Sequence, residues 1–189
     1  VRAGYFAGGL VGSSATGQHD RFEFPSETRS VIASLTTQTS RLSGMANAGV
    51  AGYYGGGFVA ARTDDVEKFD FATDTGTVLA TGISSARAFP AAMADSGTAG
   101  YFAGGETSST VVTTVDKFAF PGDSRSTLAT GLSVAGEQAS GWAHSGEAGY
   151  FAGMRDGGTV YTTVDKFFFP SDSRVSLATG LSSARRDAG

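Results

Sequence analysis

Few side chains in this chain have the type and spacing that catalysis or metal binding requires. There are two histidines, His19 and His144, and no cysteine. Without Cys, disulfides, thiolate zinc sites, a Cys nucleophile and iron–sulfur ligation are excluded. Two imidazoles in separate parts of the chain are too few for an imidazole metal site. Gly-Gly pairs recur in AGYFAGG (Ala3–Gly9), AGYYGGG (Ala51–Gly57) and AGYFAGG (Ala99–Gly105), with AGYFAGM at Ala148–Met154. A phosphate cradle needs such glycines to open onto a helix N-terminus, and no helical period follows them. No GxSxG nucleophile elbow is present. A carboxylate recurs as Asp20, Glu67, Asp116 and Asp165. Repeated in every unit, it reads as a partner for local backbone donors rather than as a catalyst, and nothing singles out a glycosidase pair. The expectation is a protein that is not an enzyme, with no cofactor and no metal.

Binding is the remaining possibility, and departures from the internal repeat mark where to look for it. Trp142 and His144 replace Met93 and Asp95 of the preceding unit. Trp142 either fills the slot that Met takes elsewhere, with His144 in the following turn, or the two form a sugar or peptide platform. Glu137, with Gly136 and Gln138, replaces an Ala-Arg-Ala-Phe step; drift in a turn is the favoured reading there. The most variable segments carry Arg62, Asp64, Glu106, Arg155, Asp156 and Tyr161. Loops on a rigid scaffold are where binding residues concentrate.

Those positions need a scaffold, and the composition supports one. Hydrophobic residues make up 40% of the 189 and charged ones 17%, enough for a packed core. The 28 glycines show no collagen-like triplet and should punctuate many turns. A formal net charge of −4, with the basic residues scattered, gives no footprint for nucleic acid. No apolar run approaches the ~18 residues of a membrane helix, and no signal peptide is visible. The chain opens on Val1-Arg2, inside a repeated phrase, and is expected to be a processed product or part of something longer.

Gly4, Gly52, Gly100 and Gly149 occupy the same step of four repeats, at spacings of 48, 48 and 49. The repeats run over about 1–48, 49–96, 97–145 and 146–189, and a period of this length means a solenoid, a propeller or an array. The pairs Phe22/Phe24, Phe69/Phe71, Phe118/Phe120 and Phe167/Phe169 alternate with period 2, the pattern of a strand with one buried face. Pro25, Pro121 and Pro170 then start a tight hairpin. The LATGL stretch is expected to be the return strand. With the AAMA-type and GYFAGG-type segments this makes four short strands per unit, the make-up of a propeller blade. The AAMA-type strand is built of small residues, as an inner strand crowded at a central axis must be.

Tyr101, Gly104-Gly105, Asp116 and Phe118, with Arg87 supplied by the second unit, resemble the kelch motif. Leu79, Leu128 and Leu177 stand where kelch repeats carry Trp, and this variant resembles kelch-like arrays in virion proteins of marine phages and in bacterial surface proteins. The resemblance implies an all-β, kelch-like β-propeller as a single domain. It leaves function open among adaptors, lectin-like binders and enzymes. A copper site built on a Cys–Tyr cross-link is closed without Cys. About five residues matching Ala92–Ser96 have no counterpart before Val1, so the first unit should lack its inner strand. The ring then either closes on itself with an imperfect seam or belongs to a larger ring completed by more than this chain, the favoured alternative. The expected role is a structural or adhesive module at a virion or cell surface, with an intracellular location as the alternative. It would self-associate or join a larger particle and bind protein or glycan, without nucleic acid or membrane insertion. The alternatives are an intracellular adaptor and, behind it, a carbohydrate-active enzyme.

Overall fold

The computed structural model describes residues 2–187. It is all-β, and among the described residues there is no helix. Four small antiparallel sheets follow one another along the chain. Sheet I has three strands, Arg2–Ala7, His19–Phe24 and Thr28–Val31. Sheet II has Ser43–Asn47, Ala51–Gly55, Val66–Asp70 and Thr75–Val78, in that spatial order. Sheet III repeats it with Ala91–Asp95, Ala99–Ala103, Val115–Ala119 and Ser124–Thr127. Sheet IV does so with Ser140–His144, Ala148–Ala152, Val164–Phe168 and Ser173–Ser176. Two short hairpins, Leu10–Val11 with Ser14–Ala15 and Arg155–Asp156 with Thr159–Val160, decorate the first and fourth units. Each sheet takes its first strand from the end of the preceding sequence repeat, so sheet I begins at the second strand.

The return strand lies earlier than the sequence suggests. Asp123 N–H closes the hairpin on the Ala119 carbonyl at 2.8 Å, so pairing resumes at once, at Ser124. The ladder ends where Leu128 N–H donates to Val115, and LATGL leaves the sheet. Gly131 makes that exit possible, since a Cβ there would lie 2.4 Å from the Thr113 carbonyl oxygen. Leu132 N–H then donates to that carbonyl, and its side chain is buried.

Sheets stack face to face through their aromatic rows. Tyr53, Met45 and Val66 of sheet II pack with Phe102, Phe118 and Phe120 of sheet III. Tyr101, Met93 and Val115 of sheet III pack likewise with Phe151, Phe167 and Phe169 of sheet IV. The period-2 phenylalanines therefore hold the core, except in sheet I, where Phe24 is 56% exposed. First strands of sheets II, III and IV lie side by side. They approach so closely that a Cβ on Gly141 would sit 2.2 Å from the Ala92 carbonyl oxygen, which is why this strand is written in small residues. Among the described residues no hydrogen bond or ion pair joins sheet IV to sheet I.

The two kinds of glycine separate in a stability measurement. Gly141→Ala is expected to lower unfolding free energy by about 1–3 kcal/mol, the usual cost of overpacking. Gly122→Ala, where an added Cβ meets nothing within 4 Å, is expected to be neutral or stabilising by up to about 1 kcal/mol. Urea unfolding of both variants checks the contrast.

Candidate functional site

The glycine phrase ends in a junction, not a cradle. Gly56 N–H donates to Asp65 and Gly104 N–H to Thr114, closing the base of each variable loop. The next glycines, Gly57 and Gly105, donate to the carbonyls of Arg87 and Gly136 in the exit segment that leads to the following sheet. All four have positive φ, and a Cβ at Gly56 or Gly104 would stand 2.6 Å from those same exit carbonyls. Only glycine fits, and these amides are already engaged.

Just past the glycines, each loop locks onto an exit segment by reciprocal backbone bonds: Ser40 with Phe58, Ala88 with Glu106, and Glu137 with Arg155. Side chains repeat the link. Arg62 reaches the Glu106 carboxylate at 2.6 Å, and Arg155 reaches that of Glu137 at 3.2 Å. Burial and the neighbouring Glu106 raise the Glu137 carboxyl above the usual range, against the pull of Arg155. Four of the sequence candidates are thus joined in pairs, Arg155 with Glu137 tying loop to exit segment and Arg62 with Glu106 tying one loop to the next. Glu137, read from the sequence as turn drift, is a buried member of such a link.

The remaining candidates do not join them. Asp64 and Asp156 are exposed, and Tyr161 is half-buried against the core between sheets III and IV. Trp142 and His144 lie on the first strand of sheet IV, and His144 is a strand residue rather than part of the turn. Trp142 occupies the Met position, stacked on Tyr150 at 4.4 Å, yet it is 59% exposed. His144 faces solvent beside Glu147, at 3.5 Å.

One feature at the loop end escapes sequence reading. Arg41, Phe89, Gln138 and Asp187 share one step of the four units, and all have φ between 52° and 61°. Their backbones form a chain: Phe89 N–H donates to Arg41, Gln138 to Phe89 and Asp187 to Gln138. Arg41 stacks on the rings of Phe58 and Phe89, with its guanidinium carbon 4.9 and 5.1 Å from their centroids. Arg186 donates to the Gln138 side chain at 2.9 Å. Alignment of the units at this step, where four unlike residues meet, is the only signal the sequence carries. The result is a backbone row of fixed shape with interchangeable side chains.

The repeated carboxylate is structural. Asp116 is fully buried and accepts from Ser84 N–H and hydroxyl, Thr127 hydroxyl and the buried Arg87 guanidinium. Burial pushes its carboxyl up, but the bonds from Thr127 and Ser84 and the Arg87 charge outweigh that and hold it below the usual range. Asp165 is held in the same way by Ser133, Ser176 and Arg174. Glu67 is held by Thr36. Among the described residues no group of three or more His, Asp or Glu side chains is arranged to hold a metal ion. Among the described residues no helix is long and apolar enough to cross a membrane. No protein-family model matches the chain, and no curated protein matches it.

His19 breaks the repeat inside the core. It stands where the other units have Val66, Val115 and Val164 and is fully buried, edge-on to Phe69 at 4.2 Å with Nε2 3.0 Å from the Tyr54 hydroxyl. Burial depresses its pKa below the ordinary 6.5. The unfolded chain therefore binds the extra proton first, so stability is full above pH 6.5 and falls as the pH drops below it. Melting curves from pH 7 to 5 should show this loss, and His19→Val should remove it. Asp116→Ala is expected to cost about 3–5 kcal/mol at neutral pH, because Arg87 is left buried and unpaired. Urea unfolding reads that loss.

Proposed function

We propose that the four sheets are consecutive blades of a kelch-like β-propeller. In this reading the protein is a non-enzymatic structural or adhesive module that presents variable loops at one end of a rigid stack. One observation carries the reading: the side chains that recur in every unit engage neighbouring sheets, while the differences gather in the loops and in the row Arg41, Phe89, Gln138 and Asp187. Buried carboxylates saturated by protein donors are poor general acids or bases, since reaction requires a free lone pair or proton near substrate. Aromatic and guanidinium planes on fixed backbone, such as Phe89 and Arg41, suit stacking on the apolar face of a sugar or on a peptide.

Such contacts are individually weak and gain from multivalent display, which fits a role at a virion or cell surface. A protein adaptor is the alternative, with the same loops meeting a polypeptide. Binding to a panel of immobilised surface polysaccharides is the test. The expected result is weak binding that strengthens when the protein is displayed on a particle and weakens at least tenfold in the Arg41→Ala/Phe89→Ala double variant. Release of reducing sugar from any member of the panel would overturn the reading.

A further inference from the structure

Each internal joint between sheets uses one set of contacts. From sheet II to III, the Tyr53 hydroxyl and Lys68 Nζ both donate to Asp123, each at 2.7 Å, and Tyr53 stacks on Phe120 at 4.9 Å. Met45 covers Gly100, and Ser84 and Arg87 reach Asp116. From sheet III to IV the set recurs. Tyr101 and Lys117 donate to Asp172 at 2.8 and 2.6 Å, Tyr101 stacks on Phe169, Met93 covers Gly149, and Ser133 reaches Asp165. The sheet I to II joint follows it with Tyr5 on Phe71 and Arg21 on Asp74.

The two outer faces of the array are the unmatched halves of this same joint. Sheet IV presents the donor half: Trp142 in the Met position, Tyr150 and Lys166 in the Tyr and Lys positions, and Arg185 in the position of Arg87. Lys166 covers only its own sheet's Tyr150 and Phe168, and among the described residues it has no carboxylate partner. Arg185 is exposed where Arg87 is fully buried. Sheet I presents the acceptor half. Glu27 takes the left-handed turn step of Asp123 and Asp172, with φ 55°, and Asp20 holds only the surface partner Arg29. Phe6 and Phe24 are 68% and 56% exposed, against 0% and 9% for their counterparts Phe102 and Phe120. A Cβ on Gly4 would meet only Phe24 of its own sheet, whereas at Gly100 and Gly149 the preceding methionine fills that place.

We propose that copies of this chain join head to tail, sheet IV of one on sheet I of the next, through this joint: Trp142 over Gly4, Tyr150 on Phe24, Lys166 to Glu27 and Arg185 to Asp20. Charge selects the partner, because the donor half is basic and the acceptor half acidic. The contact is heterologous, so a ring forms where the rotation closes and a filament where it does not. This gives a form to the self-association expected from the sequence and rests on the proposed reading of the sheets as consecutive blades.

Light scattering on the wild-type chain should give a mass that is a multiple of 19.2 kDa at micromolar concentration. Lys166→Glu and Glu27→Lys should each weaken association by on the order of 100-fold, with far-UV circular dichroism unchanged. The double variant, with both charges exchanged, should recover it. Because the chain has no cysteine, Lys166→Cys mixed with Glu27→Cys should be joined between copies by a bismaleimide, which adds to both thiols without an oxidant and spans the gap left by the two long side chains, and both changes in one chain should give a ladder. A wild-type monomer, an oligomer indifferent to the charge reversals, or a double-cysteine chain that closes only on itself would each overturn the joint. Polysaccharide binding by a monomeric wild type would sink the joint and leave the loop reading standing; an assembled chain that binds none of the panel would do the reverse.

Discussion

The structure depends on one residue in three of the four hairpin turns doing two things at once. Asp74, Asp123 and Asp172 sit in the left-handed region, where a short polar side chain is among the few tolerated apart from glycine. The same carboxylates receive the cation of the preceding sheet, and two of them also receive a tyrosine hydroxyl. The turn that ends one hairpin is thereby the anchor of its neighbour. A hydrogen bond to a charged group contributes roughly 1.5–3 kcal/mol. Here it also fixes the Tyr ring against the Phe that precedes the turn, so hydrophobic burial and polar registry act at one point. A three- or four-stranded sheet of such short strands has little core of its own. Its stability comes from the joint.

The second carboxylate row works beneath the first. Asp116 and Asp165 are fully buried, which would be costly if their lone pairs were left empty. Each is filled by a Ser N–H and hydroxyl from the preceding exit segment and by a hydroxyl from its own return strand. The variation lies in the cation. Asp116 has the buried Arg87, while the unit that carries Gly136 at that step leaves Asp165 with Arg174 of its own sheet. Removing Arg87's counterpart also makes room, since a Cβ on Gly136 would stand 2.9 Å from the Met154 side chain. Glycine at 136 and Met at 154 are therefore one packing decision, which bears on why unit three departs from the pattern of unit two.

Much of this was legible in the residues. The period located the four sheets, the alternating phenylalanines located the third strands, and the run of small residues located the crowded first strands. The glycine phrase is a strand that ends in a junction, and the reason its glycines are required, two exit carbonyls a Cβ would strike, belongs to another segment of the chain. LATGL looks more strand-like than the polar SRST, so the sequence points to the wrong return strand. Hairpin closure by Asp123 outweighs that propensity. The Arg62–Glu106 and Arg155–Glu137 pairs could not be read, since each links a loop to a different loop or exit segment whose approach only the stacked sheets create. His19 enters the sequence reading only as one of two histidines too few for a metal site, although its alignment with three valines marks it as core.

Repetition also constrains where function can lie. A residue in the joint must satisfy a partner one unit away, so a change there requires a matching change in the neighbouring sheet. Arg41, Phe89, Gln138 and Asp187 are under a different rule. Their backbone is fixed, by a left-handed step and by a hydrogen bond to the equivalent residue one unit away, while their side chains take no part in the tyrosine, lysine and aspartate contacts of the joint. For Phe89 the left-handed step is a strained choice that a glycine would avoid. Backbone geometry is thus held constant while chemistry is varied from cation to aromatic to amide to carboxylate. A scaffold evolving to recognise something would gain most from that combination, and it occurs at the same end as the variable loops. This end, rather than the repeated carboxylates or the glycine pairs, is where chemistry specific to this protein has room to act.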